Sequence, residues 1–158
     1  MELPEPDNLL ALWAADDGAV RDVYIEDTTN ADWQRAIDAI QERWSCSYTE
    51  DGAPVPMPPA AEVLRRGSER TINLEIRLSE HFAIHAYFFE SAQIEFSFLP
   101  ADVGDDNDIY RILDSVSHLG RTLGRTVHMT VESHKGERPV DGLRYEPSLD
   151  RIVGVSES

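Results

Sequence analysis

Alternation of apolar and polar positions is clearest in the middle of the chain. Ile72, Leu74, Ile76 and Leu78 alternate with Thr71, Asn73, Glu75 and Arg77, which predicts a half-buried strand. Phe82, Ile84, Ala86 and Phe88 continue on one face, with Ala83, His85, Tyr87 and Phe89 opposite. Ile94, Phe96 and Phe98 alternate with Glu95 and Ser97 until Pro100, which has no N–H for a ladder. The connectors Ser79-Glu80-His81 and Glu90-Ser91-Ala92 are short, so the three strands read as an antiparallel meander.

The period changes to 3.6 on either side. Trp33, Ile37, Ile40 and Trp44, with Ala36 between them, predict a helix over Ala31 to Arg43, and Asp27-Thr28-Thr29-Asn30 supplies capping oxygens. A longer helix is expected from about Asp105 to Leu123, on the stripe Ile109, Ile112, Leu113, Val116, Leu119 and Leu123. Asp105, Asp106 and Asp108 suit the positive end of its dipole, and Gly124 is a natural stop. A short helix, Ala60 to Arg66, follows the proline-rich loop Glu50 to Pro59 and ends at Gly67.

Near the start, Asn8 to Ala14 and Ala19 to Glu26 flank Asp16-Asp17-Gly18, which predicts a hairpin; a helix over Asp7 to Ala15 competes with it. Val23 and Ile25 share one face, with Tyr24 and Glu26 on the other. Ser45 to Thr49 and Val127 to Val131 add strands, and Gly142 to Val155 reads as a closing hairpin around Pro147-Ser148. Consecutive strands without crossover helices indicate a single α+β domain over residues 1–158: a mainly antiparallel sheet with two principal helices packed on one face.

Composition then narrows the partners. Thirty acids against 14 bases give a formal charge of −16, and Lys135 is the only lysine. A field of that sign repels nucleic acid and anionic membrane, and steers a basic protein inward. Acidity that confers only solubility or salt tolerance is the plain alternative. Met1-Glu2-Leu3-Pro4-Glu5-Pro6 has no basic or apolar signal region, Phe82 to Phe89 is too short to span a bilayer, and Cys46 stands alone. A cytoplasmic protein is expected.

The chain carries few of the residue patterns that catalysis or ligand binding requires. Cys46 has no base nearby in sequence, there is no Gly-x-Ser-x-Gly elbow, and Gly120-Arg121-Thr122-Leu123-Gly124 ends a helix rather than opening one. His85, Glu95 and His128 share a predicted sheet face with Glu75, Glu132 and Tyr87, a zinc- or iron-like donor set. They come from separate strands without a tight ligand pair, so a solvated or interface face is the preferred reading and no metal or cofactor is assigned. The Asp102 to Asp108 run lacks the acid ladder and terminal glutamate of a calcium loop.

A surface remains. Asp16, Asp17, Asp102, Asp105, Asp106 and Asp108 mark two acidic turns that form the expected partner-binding edge. The face of Glu75, His85, Tyr87 and Glu95 is the second candidate. Tyr24, Tyr48, Tyr87 and Tyr110 are possible anchors, with a structural role the usual one for each.

Three stretches carry a resemblance. They are Leu12-Trp13 through Asp17-Gly18 and Asp22-Val23-Tyr24-Ile25 to Thr28, Thr29 and Asp32-Trp33; Phe88-Phe89 through Ile94-Glu95-Phe96 to Leu99-Pro100; and Val127 to Glu132 with Tyr145-Glu146-Pro147. In this layout the chain resembles the small acidic immunity proteins encoded beside bacterial polymorphic toxins. The resemblance implies a non-enzymatic inhibitor that occludes the active site of a cognate toxin, and it carries over no functional residue. The competing classes are a cytosolic regulatory or interaction domain without a toxin partner, and a metal-dependent enzyme.

Overall fold

The computed structural model describes residues 20–131 and 140–154. Nine strands form one antiparallel sheet in the order β3-β2-β4-β5-β6-β1-β7-β8-β9. They are β1 (Arg21–Glu26), β2 (Ser45–Glu50), β3 (Ala53–Pro54), β4 (Ile72–Arg77), β5 (Ala83–Glu90), β6 (Gln93–Phe98), β7 (Val127–Val131), β8 (Val140–Glu146) and β9 (Arg151–Gly154). The helices are α1 (Asn30–Arg43), α2 (Ala60–Arg66) and α3 (Asp106–Leu123). The α+β class, the β4-β5-β6 meander and the terminal β8-β9 hairpin follow the sequence pattern. The hairpin or helix read before Val20, and its Asp16-Asp17-Gly18 turn, lie outside the described residues.

Strand β1 takes a central place that local pattern does not show. It pairs with β6 from Arg21↔Phe98 to Glu26↔Gln93, and with β7 from Arg21↔Val131 to Tyr24↔His128. Within the proline-rich loop, Asp51-Gly52 closes a two-residue hairpin with φ of 52° and 81°. Positive φ at both positions is what a type I′ turn demands. Strand β3 then stops at Pro54, which cannot donate onward from the sheet edge.

The core lies between the helices and one sheet face. Val23, Ile25, Leu74, Ile76, Ile84, Ile94, Phe96 and Met129 point inward to meet Ile37 and Ile40 of α1 and Ile112, Leu113 and Val116 of α3. Trp33 is fully buried, stacks on Phe88 at 4.7 Å and donates its indole N–H to the Glu90 carbonyl at 3.0 Å. A capping box opens α1: the Thr29 hydroxyl accepts from the Asp32 N–H, and the Asp32 carboxylate accepts from the Thr29 N–H. Gly124 closes α3 in the left-handed conformation, φ 63°, and its N–H donates to Gly120.

Short α2 is fastened by polar contacts. Its first N–H, on Ala60, donates to Gln34 of α1 at 2.7 Å. Buried Glu50 accepts from Tyr48 at 2.7 Å, Arg66 at 2.8 Å and Arg70 at 2.7 Å, which ties α2 and the turn after it to the outer strands. The Tyr48 hydroxyl and the two guanidiniums favour the ionised carboxylate and hold Glu50 down at about 2. Among the described residues, no helix is long and apolar enough to cross a membrane.

Candidate functional site

Because side chains alternate along each strand, helices on one face leave the other without a described covering element. Two rows of side chains cross this open face. Ser47, Glu75, His85, Ser97 and Asp22 are successive Cα partners on β2, β4, β5, β6 and β1. Tyr87, Glu95, Tyr24, His128 and Arg144 are successive partners on β5, β6, β1, β7 and β8. The structure thus brings Glu75, His85, Tyr87 and Glu95 together on three adjacent strands, as Glu75↔His85 and Tyr87↔Glu95 pairs.

The two histidines and two of the acids differ in their surroundings. Glu75 is ion-paired with Arg77, and His85 Nδ1 lies 3.2 Å from the side-chain oxygen of Asn73. His128 stacks on Tyr24, with ring centroids 4.8 Å apart and planes 15° from parallel. Tyr24 therefore stands between Glu95 and His128, and two strand spacings of about 4.8 Å each separate those residues. The His85, Glu95 and His128 donors do not converge. Among the described residues, no group of three or more His, Cys, Asp or Glu side chains stands where it could hold a metal ion.

The unusual feature of the face is apolar. Phe89 is 76% exposed and Tyr87 39%, and their rings stack at 5.5 Å and 9°. A register shift between Tyr87 and Glu90 marks this part of β5. Beside the rings, a hollow of about 190 Å³ is lined by Val20, Asp22, Tyr87, Phe89, Glu95 and Ser97. Scattered exposed apolar residues need no explanation, but a stacked aromatic pair walling a concave acidic site does. Sequence reasoning placed Phe89 on this face without selecting it and did not select Asp22. The available signal was a phenylalanine at an outward position of the alternation.

The acidic edge divides into different roles. Asp16 and Asp17 lie outside the described residues, and for Asp106 only its backbone, at the start of α3, is described. Asp102 and Asp105 are exposed, and Asp105 is also the N-cap of α3, accepting from the Asp108 N–H at 3.2 Å. Asp108 does not belong to a contact edge, for it is 0% exposed. One of its oxygens accepts from the Gly104 N–H at 2.8 Å and faces His81 Nε2 at 3.1 Å. The other meets Arg111 at 3.0 Å and the Ser79 hydroxyl at 3.3 Å. Burial pushes the Asp108 carboxyl up, but the Gly104 amide, His81 and Arg111 outweigh it and hold the group below the usual range. It joins the start of α3 to the β4–β5 turn, and Gly104 permits the approach: a Cβ there would sit 3.0 Å from His81 and 3.1 Å from Asp108.

The tyrosines also separate. Tyr48 is buried against Glu50, whereas Tyr110 on α3 is 45% exposed and lies off the open sheet face. Cys46 sits half-buried on the core side of β2, and burial pushes its thiol up to about 11, the wrong direction for a nucleophile. Comparison of the chain with protein-family models, curated proteins and solved structures finds no match.

Proposed function

We propose that the protein is a non-enzymatic, immunity-type inhibitor that binds a basic bacterial toxin domain through the open face of its sheet and covers the toxin's active site. The observation that carries this reading is the exposed Tyr87–Phe89 stack beside Asp22 and Glu95. Aromatic anchors in a concave patch are the usual centres of binding energy at protein interfaces. The charge of −16 supplies the complementary field, which raises the encounter rate with a cationic partner at low salt. Exposed acids away from the stack, Asp102 and Asp105 among them, then act as rim charges that steer rather than anchor. Action in the cytoplasm, where a toxin domain would arrive, belongs to the same proposal.

The test is co-expression with the product of the adjacent open reading frame. Rescue of growth from a toxic product, with a stable complex by size exclusion, is the expected result. An adjacent gene for an ordinary metabolic enzyme, with no toxin domain bound or inhibited, overturns the reading in favour of a regulatory interaction domain.

A further inference from the structure

The hollow between β1, β5 and β6 has a chemistry narrower than general acidity. The stacked Tyr87 and Phe89 side chains line it, and its charged groups are the carboxylates of Asp22 and Glu95. Glu95 is the Cα partner of Tyr24, so Asp22 stands one diagonal step away on the neighbouring strand. Diagonal neighbours on one face lie about 7–8 Å apart, within reach of a single polydentate donor between them. Ser97, the Cα partner of both Asp22 and His85, sits in the floor at 4% exposure. Its side chain is among those that line the hollow. At about 190 Å³ the site is smaller than the ~300 Å³ at which small-molecule pockets begin, so it suits one side-chain head.

We propose that this hollow receives an arginine side chain of the partner. The inference rests on the protein-binding reading above and names the group bound. A guanidinium is planar and weakly hydrated, so it stacks on an aromatic wall, while its five N–H donors reach two carboxylates and a hydroxyl together. Asp22 and Glu95 each already interact within the protein, and an ionised carboxylate accepts at about four positions, so a guanidinium can share them. A lysine ammonium offers three donors at a point and no plane to stack, and the site discriminates against it. Val20 supplies apolar surface for the methylene stem.

The probe is a short neutral-flanked peptide with one central arginine, and its lysine and citrulline counterparts, titrated into the whole protein and followed by amide NMR shifts. The expected result is shifts centred on Asp22, Tyr87, Phe89, Glu95 and Ser97. Arginine should bind at least about threefold more tightly than lysine, and citrulline should not bind measurably. F89A and E95Q should each weaken the arginine peptide by about fivefold or more, with unfolding midpoints near that of the parent. Shifts spread over the surface acids, equal binding of arginine and lysine, or indifference to F89A and E95Q would each overturn the inference. Toxin neutralisation that survives F89A and E95Q would sink this inference and move the interface off the hollow, leaving only the inhibitor role standing. Arginine docking here with no toxin neutralised would do the reverse.

Discussion

Replacing Asp108 by asparagine separates a buried keystone from a surface acid. Each carboxylate oxygen of Asp108 faces two donors, Gly104 N–H and His81 on one side, Arg111 and Ser79 on the other. An amide turns one oxygen into NH₂, and either orientation places that group against a donor that cannot reverse. It meets the Gly104 N–H in one orientation and the Arg111 guanidinium in the other, whereas Ser79 and a neutral imidazole can switch roles. A stranded buried donor costs about 1–3 kcal/mol, and losing charge from the surviving bonds adds to that, giving about 2–4 kcal/mol. For a chain of this size the midpoint should fall by roughly 5–15 °C. D102N changes an exposed side chain and D105N keeps a good N-cap, so both should stay within about 0.5 kcal/mol of the parent. Urea unfolding followed by circular dichroism gives all three numbers. D108N unfolding alongside D102N would show that Asp108 is not buried in a satisfied network. The pH dependence adds a signature. A carboxyl held low in the fold contributes stability above its ordinary range and loses it as pH falls through and below that range, so D108N should remove part of the acid sensitivity.

Further outcomes follow from the packing. A Cβ on Gly120 would stand 2.1 Å from the buried ring of Tyr145, whose hydroxyl donates to Asp150 at 2.6 Å. G120A should therefore lose about 1–2 kcal/mol net, overpacking outweighing the helix-propensity gain, and calorimetry should show the sign reversed in a Y145A background. Glu50, held at about 2 against 4.5 ordinarily, contributes stability above pH 4.5 that is lost as pH falls toward 2. E50Q should flatten acid unfolding over that window, and an unchanged acid transition would refute its role. Cys46, with its thiol pushed up to about 11 from 9.0, should alkylate at pH 8 roughly a hundredfold more slowly folded than in urea, as iodoacetamide kinetics will show.

Local pattern carried much of the fold, because half-buried strands and amphipathic helices write their periods into the sequence. Glycine and threonine also fixed ends: Gly124 stops α3, and Thr29 with Asp32 caps α1. The insertion of β1 between β6 and β7 was not legible, since those pairings join residues about 70 and 105 positions apart, such as Ile25↔Ile94 and Tyr24↔His128. Asp108 shows a finer failure. A run of acids before a helix satisfies the dipole rule wherever each side chain points. Yet Asp108 precedes Ile112 by four and lies on the same inward stripe, which is the signal for its burial. The open face was readable as polar positions, but which of its groups line one hollow depends on the register of β1 against β6, set by tertiary pairing.

The most direct test of the account uses the toxin domain that the proposed function expects as partner, and two variants of this protein. Y87A/F89A removes the exposed stack and leaves the core intact, whereas D102N/D105N removes rim charge alone. Surface plasmon resonance at low and moderate salt should show Y87A/F89A weakened by about thirtyfold or more, mainly in dissociation, with its unfolding midpoint unchanged. D102N/D105N should slow association modestly and keep its dissociation rate. Parent-like dissociation of Y87A/F89A would contradict the account and place the interface away from the open face of the sheet.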